Sequence, residues 1–452
     1  MGLSQNLQTE CLRFRVSYLE FNDLCYNTPM KIRILLGVAS SATQIEGGGF
    51  KHTWSDWYDK GRIKDGSNPA RANDHLNRWK EDIDLMHEMG IKIYRLGIEW
   101  ARLEPQKGSY DAAAAGWYRS LLGYIRSKSM FPLLTIHHFT NPLWFEESGG
   151  FAKPSNIPVY LGFVDYVVRN FGDLVDEYIT INEPNVFAFM GYYTGVFPPG
   201  IHSVIIYTRV LSVMASCHIQ AYCLIHRLRR EMGYANTRVG FAHASRVFSP
   251  LNKKNIWHRI CSFLSSYMFQ GAMIRSFLLG RFPIMLKKYG KIRRGEYADF
   301  LGLNYYTRST VSSLGDGVKE DAPHNDLGWE IYPEGIAECA GGLYKLLPRP
   351  IYITENGTCD NSDAFRCRYI YDHLKALTES GLPAERYYYW SFTDNFEWCE
   401  GESSRFGLVH IDFETQNRTI KNSGHFYTSM IKNKCVTEDD YLKYVAPQEY
   451  KI

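Results

Sequence analysis

Residues 178–184 read Tyr-Ile-Thr-Ile-Asn-Glu-Pro, and residues 351–357 read Ile-Tyr-Ile-Thr-Glu-Asn-Gly. Each is a short run of β-branched and aromatic residues, as in a strand covered on both faces, that stops at a glutamate just before the chain must turn. Taking the strand portions as 178–181 and 351–354, comparable runs recur at 35–40, 93–98, 132–136, 239–242, 300–304 and 387–392. Polar loops and segments with apolar residues three and four apart lie between them, among them 80–89, 157–171 and 215–231. Eight alternating strand and helix units predict an α/β protein, a closed (β/α)8 TIM barrel.

No low-complexity linker divides the 452 residues. The spacing therefore predicts a single barrel domain with long βα loops over residues 30–452, preceded by an N-terminal extension at 1–29. Within that extension Leu12, Phe14 and Val16 alternate with polar residues, which allows an extra strand outside the barrel; the alternative is a dispensable tail. The less regular stretch from about 249 to 294 reads as an excursion before the sixth strand.

Hydrophobic residues make up 45% and charged residues 22% of the chain, the balance of a globular protein with a large core. The net charge is only +3 and the basic residues read as scattered, so nucleic acid is not the expected partner. Ten cysteines lack a Cys-x-x-Cys pair or a repeated spacing, so neither a disulfide framework nor a zinc site is expected, and a cytoplasmic location fits. Arg13, Arg15, Glu20 and Asp23 interrupt any signal-peptide run, and no stretch reads as bilayer-spanning, so no membrane partner is expected. Aromatics at 15% suit either an aromatic core or rings lining a site for a hydroxylated ligand.

Barrel enzymes carry reactive groups at the C-terminal ends of their strands, where Glu183 ends the fourth and Glu355 the seventh. Either alone reads as a loop salt-bridge partner. Together, across a barrel mouth, they offer what glycoside hydrolysis needs: one carboxyl to protonate the leaving oxygen and one carboxylate to meet the anomeric carbon.

Around these glutamates lie Ala-Thr-Gln-Ile-Glu-Gly at 42–47, Asp74-His75, Tyr94-Arg95, Trp-Ala-Arg at 100–102, His137-His138, Asn-Glu-Pro at 182–184, Asn-Tyr-Tyr at 304–306, Thr-Glu-Asn-Gly at 354–357, Trp390-Ser391, Asp-Asn-Phe-Glu-Trp at 394–398 and Arg-Phe-Gly-Leu at 405–408. In this order they resemble the family 1 glycoside hydrolases, the β-glucosidases, β-galactosidases and their relatives, over about 36–423. The resemblance implies a retaining exo-β-glycosidase acting on β-D-glucosyl residues, with β-D-galactosyl and β-D-fucosyl residues as further candidates. Glu183 would be its acid/base and Glu355 its nucleophile. Arg95 and Tyr306 resemble the pair that supports the nucleophile, although Arg95 also reads as a structural ion pair. Asn182 would bind the 2-hydroxyl, or cap a loop. Gln44, His138, Asn304, Glu397, Trp398 and Phe406 would line the sugar site, with Trp390 as its floor.

Thr43 and Phe139 depart from the family's usual tyrosine and tryptophan, and His243 stands where asparagine is common. The implied partner is a small-molecule β-glycoside or oligosaccharide. No cofactor and no metal are expected, because there is no His-Glu-x-x-His, P-loop or strand-borne Gly-x-Gly-x-x-Gly. A 6-phospho-β-glycosidase and a transglycosidase remain as alternatives, and a non-catalytic sugar-binding barrel is disfavoured because both glutamates are present. The oligomeric state is left open.

Overall fold

The computed structural model describes residues 29–313 and 317–452. The strand allowed at 12–16 lies outside the described residues. Eight parallel strands close into a barrel in chain order: β1 (Leu35–Ala39), β2 (Ile93–Gly97), β3 (Phe131–His137), β4 (Glu177–Asn182), β5 (Arg238–Pro250), β6 (Leu301–Val311), β7 (Ile351–Asn356) and β8 (Ala384–Trp390). β8 closes on β1 with Ala39 opposite Trp390. The barrel interior is a packed layer that includes Ala39, Ile93, Leu133, Ile179, Ala242, Phe300, Tyr352 and Tyr388. A larger apolar layer joins the outer strand faces to the helices, such as Ile157–Phe171, which buries seven residues on one stripe.

Three elements differ from the sequence expectation. β5 and β6 run on to Pro250 and Val311, pairing as a two-stranded ribbon beyond the others. That part of β5 is only half-buried and carries polar residues, so it lacks the apolar run from which strands were read. The helix read from Ala215 begins at Val204, where the Ser203 hydroxyl caps the Ile206 amide at 3.3 Å. This helix, Val204–Glu231, is long and apolar enough to cross a bilayer by length and composition, contrary to the expectation that no stretch would be. Its apolar window is 67% buried, and it packs against Ile157–Phe171. Finally, Met30–Lys31 pairs antiparallel with Cys435–Val436, tying the start of the barrel domain to its last helices.

The ends of β7 and β8 approach so closely that a Cβ on Gly357 would stand 1.8 Å from the Trp390 carbonyl oxygen. Gly357→Ala is therefore expected to cost about 3 kcal/mol, since the obstacle is backbone. Gly116, in the interior of helix Ala112–Ser127, has nothing within 4 Å of its virtual Cβ, and Gly116→Ala is expected to gain about 0.5–1 kcal/mol. Thermal melts of the two variants should move in opposite directions, and a Gly357→Ala protein that melts with the wild type refutes the close-approach reading.

Candidate active site

Period-two alternation sets the first side chains. Arg95 follows Ile93 on the inner face of β2, Asn304 and Tyr306 follow Phe300 on β6, and Trp390 follows Tyr388 on β8. Glu355 and Asn182 break this rule, since each stands three residues beyond an inward-facing neighbour, Tyr352 or Ile179. The register shifts between Ile179 and Asn182 and between Ile353 and Asn356, and these irregularities turn the two side chains into the mouth. Glu183 follows β4 at φ +42°, a left-handed conformation that costs a residue with a Cβ about 1 kcal/mol. Pro184 then starts the short helix Pro184–Ala188.

Arg95 is fully buried and forms a salt bridge with Glu355 Oε1, while the Tyr306 hydroxyl donates to Glu355 Oε2 at 2.5 Å. Arg95 also donates to Asn182 Oδ1 at 2.7 Å, as does Asn304 Nδ2 at 3.0 Å. Two donors on Oδ1 fix the Asn182 amide, so its Nδ2 faces His138 Nε2 at 2.9 Å. His138 then carries its proton on Nδ1, which is buried and has no hydrogen-bond partner among the described residues. Asn304 Nδ2 also donates to Glu183 Oε1 at 2.8 Å, which leaves Oε2 as the site of the carboxyl proton.

Burial and a neighbouring charge raise two of the glutamates in the mouth. Burial, followed by the charge of Glu355, pushes Glu183 up to about 8. The same two causes push Glu397 up to about 8, against hydrogen bonds from Trp390 and Gln44, the latter at 3.1 Å. Burial and the Arg95 charge hold His138 well below its ordinary value, so its ring is neutral.

A cavity of about 230 Å³ opens at this end of the barrel. His138, Glu183, Asn304, Tyr306, Glu355, Trp390, Glu397, Trp398 and Phe406 line it, while Arg95, Asn182 and Gln44 stand behind and are hydrogen-bonded to the lining or to one another. All twelve residues singled out from the sequence thus meet in one region. Three non-glycine residues with positive φ, Phe139, Glu183 and Trp398, also lie on the wall. Of the departures, Phe139 packs on Trp398 with ring centroids 5.3 Å apart, and Thr43 donates to buried Glu99 behind the wall at 2.5 Å. His243 is buried off the lining, and its Nδ1 has no hydrogen-bond partner among the described residues, so it is neither a cavity wall nor, among those residues, a core histidine with both nitrogens satisfied.

Sequence reasoning missed Trp329 and Arg246. Trp329 reaches the cavity from a loop and stands edge-on to Tyr306 at 5.9 Å, and nothing local in Leu-Gly-Trp-Glu marks it. Arg246 continues the inward phase of Ala242 and Ala244, so a longer reading of the fifth strand would have found it.

The sequence model of glycosyl hydrolase family 1 matches residues 27–436. Beta-glucosidase A of Thermotoga maritima is 30% identical over 439 residues, which cover 88% of this chain and 97% of that protein. Among solved structures, a beta-glycosidase from Pyrococcus horikoshii superposes with a TM-score of 0.83 at 30% identity, covering 92% of this chain and 98% of the other. A Thermotoga maritima beta-glucosidase in complex with deoxynojirimycin gives 0.82 at 28% identity, covering 90% and 99%.

The electrostatics of Glu183 generate a stability test. A carboxyl raised from 4.5 to about 8 binds more protons folded than unfolded, so its contribution is full below the unfolded value and drains away as pH rises through about 8. Glu183→Gln keeps the shape and removes that loss. The variant is expected to melt above the wild type near pH 8, by an amount on the order of a few kcal/mol, and alongside it below pH 4.5. A gap that does not change with pH contradicts the raised value.

Proposed function

The chain belongs to glycosyl hydrolase family 1 and is a β-glycosidase, and from that premise we propose that it is a retaining exo-enzyme removing terminal non-reducing β-D-glucosyl residues through a covalent glycosyl-enzyme. β-D-galactosyl and β-D-fucosyl residues fall within the same proposal, because Glu397, on the cavity wall, can meet a 4-hydroxyl in either orientation. The observation that carries this reading is the inequality of the two glutamates. Glu355 has both oxygens held by donors, while Glu183 has one oxygen occupied and its affinity for protons raised.

Glu355 attacks the anomeric carbon as Glu183 gives its proton to the glycosidic oxygen, and the alcohol departs. The charge of Glu355 is now spent in an ester bond, which removes one of the two causes that raised Glu183. The Glu183 carboxylate then takes a proton from water, and that water's oxygen displaces Glu355 from the sugar with overall retention. Asn182 supplies a polar contact for the 2-hydroxyl, and Trp390 the surface beneath the ring. A cytoplasmic location belongs to the same proposal; eight described cysteines are free, which suits a reducing compartment.

From the sequence, Glu397 reads as a charged group that repels a 6-phosphate; pushed up to about 8, it holds a proton near neutrality. What disfavours phosphate is that Arg246, the one lysine or arginine among the described residues lining the cavity, bears on Glu183, whereas the charges bearing on Glu397 are those of Glu355 and Glu400. Arg405 is turned away, donating to the Ile411 carbonyl at 2.8 Å and pairing with Asp394 at 3.4 Å, and Phe406 takes the wall. A phosphate buried there would be unpaired.

Two measurements test the proposal. Glu355→Gly should abolish turnover of an aryl β-glucoside, and added azide should restore part of it with an α-glycosyl azide as product, because azide enters on the vacated face; a β-azide would exchange the roles of Glu183 and Glu355. An aryl β-glucoside should also exceed its 6-phosphate in kcat/KM, and the reverse order would refute the assignment of this pocket to neutral sugars.

A further inference from the structure

The helix Ile256–Ser266 is packed inside out. It buries Cys261 and Ser262 and turns Ile256, Trp257, Ile260, Phe263 and Leu264 outward, with exposures of 64, 56, 43, 68 and 40%. Positions 256, 260, 263 and 264 share one helical face, the pattern by which other helices of this chain meet the core. Tyr267 extends the stripe. A contiguous apolar surface of this kind marks an interaction site.

Charge identifies the partner. Residues 247–295 contain ten lysines and arginines and no aspartate or glutamate, while the other 41 basic residues of the chain face 48 acidic ones. The reading of the basic residues as scattered is thereby corrected: a near-neutral total conceals one cationic segment on an otherwise acidic protein. All ten are exposed, Lys253, Lys254 and Arg259 around the apolar stripe and Lys287, Lys288, Lys291, Arg293 and Arg294 beyond it. Ile284 stands among the latter with its side chain fully in solvent. A cavity of about 940 Å³ joins the two groups, lined by Phe263, Tyr267, Arg275, Arg281, Lys288 and Arg294.

Interleaved cations and large apolar side chains suit the boundary of an anionic bilayer, where headgroup phosphates meet the cations and the acyl boundary takes the rings and branched chains. A second copy of the chain is a poor match, because a two-fold interface would set this cationic patch against itself. A nucleic acid would answer the charges and leave the aliphatic stripe in water. We propose that this face docks the protein on an anionic lipid surface. No bilayer-spanning run is needed for that, and the proposal thereby departs from the expectation of no membrane partner. The Ser262 hydroxyl donates to the Phe248 carbonyl on the β5 ribbon at 2.8 Å, and Phe269, two residues past Tyr267, lines the catalytic cavity. Docking therefore brings the mouth of that cavity to the lipid.

The test is vesicle co-sedimentation of the full chain with phosphatidylcholine alone and with phosphatidylcholine containing about one-third phosphatidylglycerol. Binding should be at least about tenfold tighter to the anionic vesicles and weaken in high salt. The double substitution Trp257→Ser and Phe263→Ser should lose about tenfold or more of that binding while hydrolysing a soluble aryl β-glucoside at the wild-type rate. Hydrolysis is read separately from sedimentation, so failure of the docking face and failure of the proposed reaction are distinguishable. No binding to anionic vesicles overturns the inference. So does vesicle binding that the double substitution leaves intact, which points to a polyanion site, or a dimer that the same substitution dissociates without any vesicle binding in the wild type.

Discussion

A guanidinium with no exposed surface stands inside the barrel, and the mouth is arranged around satisfying it. Leaving Arg95 unpaired there would cost several kcal/mol, about 3–5 by the general behaviour of broken buried ion pairs. Glu355, the Asn182 amide oxygen, the Thr135 hydroxyl and the Thr354 carbonyl take up its donors. Each contact constrains the next. With its oxygen committed to Arg95, Asn182 turns its nitrogen to His138; Asn304 supplies the second donor to that oxygen and uses the same nitrogen on Glu183. Glu183 is left outside the guanidinium contact, in a buried place facing a carboxylate. Two side chains of identical chemistry thus meet different partners: both Glu355 oxygens are held by donors, while one Glu183 oxygen is held and burial beside Glu355 raises its carboxyl.

The same arrangement explains where the molecule tolerates unfavourable local choices. Glu183, Phe139 and Trp398 hold positive φ angles, and Glu183 and Glu397 are acids in surroundings that disfavour their charge, all on one cavity wall. A closed barrel of eight strands over a packed interior can absorb that, since no edge is open and each wall residue is anchored at a strand end.

How far the sequence alone could be read follows from these elements. Apolar runs mark strands only where both faces are covered, so the cores of all eight were legible, while the half-solvated ribbon of β5 and β6 was not. Arg95, Asn304 and Trp390 obey a period of two from inward-facing neighbours. Glu355 and Asn182 owe their direction to register shifts that no local pattern announces, and their visibility came from the chemistry of the residue types and from family resemblance. Trp329 joins the wall through a loop path with no periodicity. The apolar stripe at Ile256–Ser266 had the spacing of a core helix, and only the fold reveals that its buried face is the other one.

The ribbon of β5 and β6 has a consequence of its own. Its last pairs, from Val247 with Arg308 to Pro250 with Val311, stand clear of the ring of strands that holds Arg95 and the glutamates. Residues inserted, lost or exchanged along it need not alter barrel closure, because the ribbon end finds its partners within the ribbon and in nearby segments at Ser262, Gly317 and Glu330 rather than in the other barrel strands. A lineage can therefore try out new rims, lengthening or recolouring the approach to the cavity, while the inherited chemistry beneath stays untouched. Innovation and inheritance occupy different lengths of the same two strands.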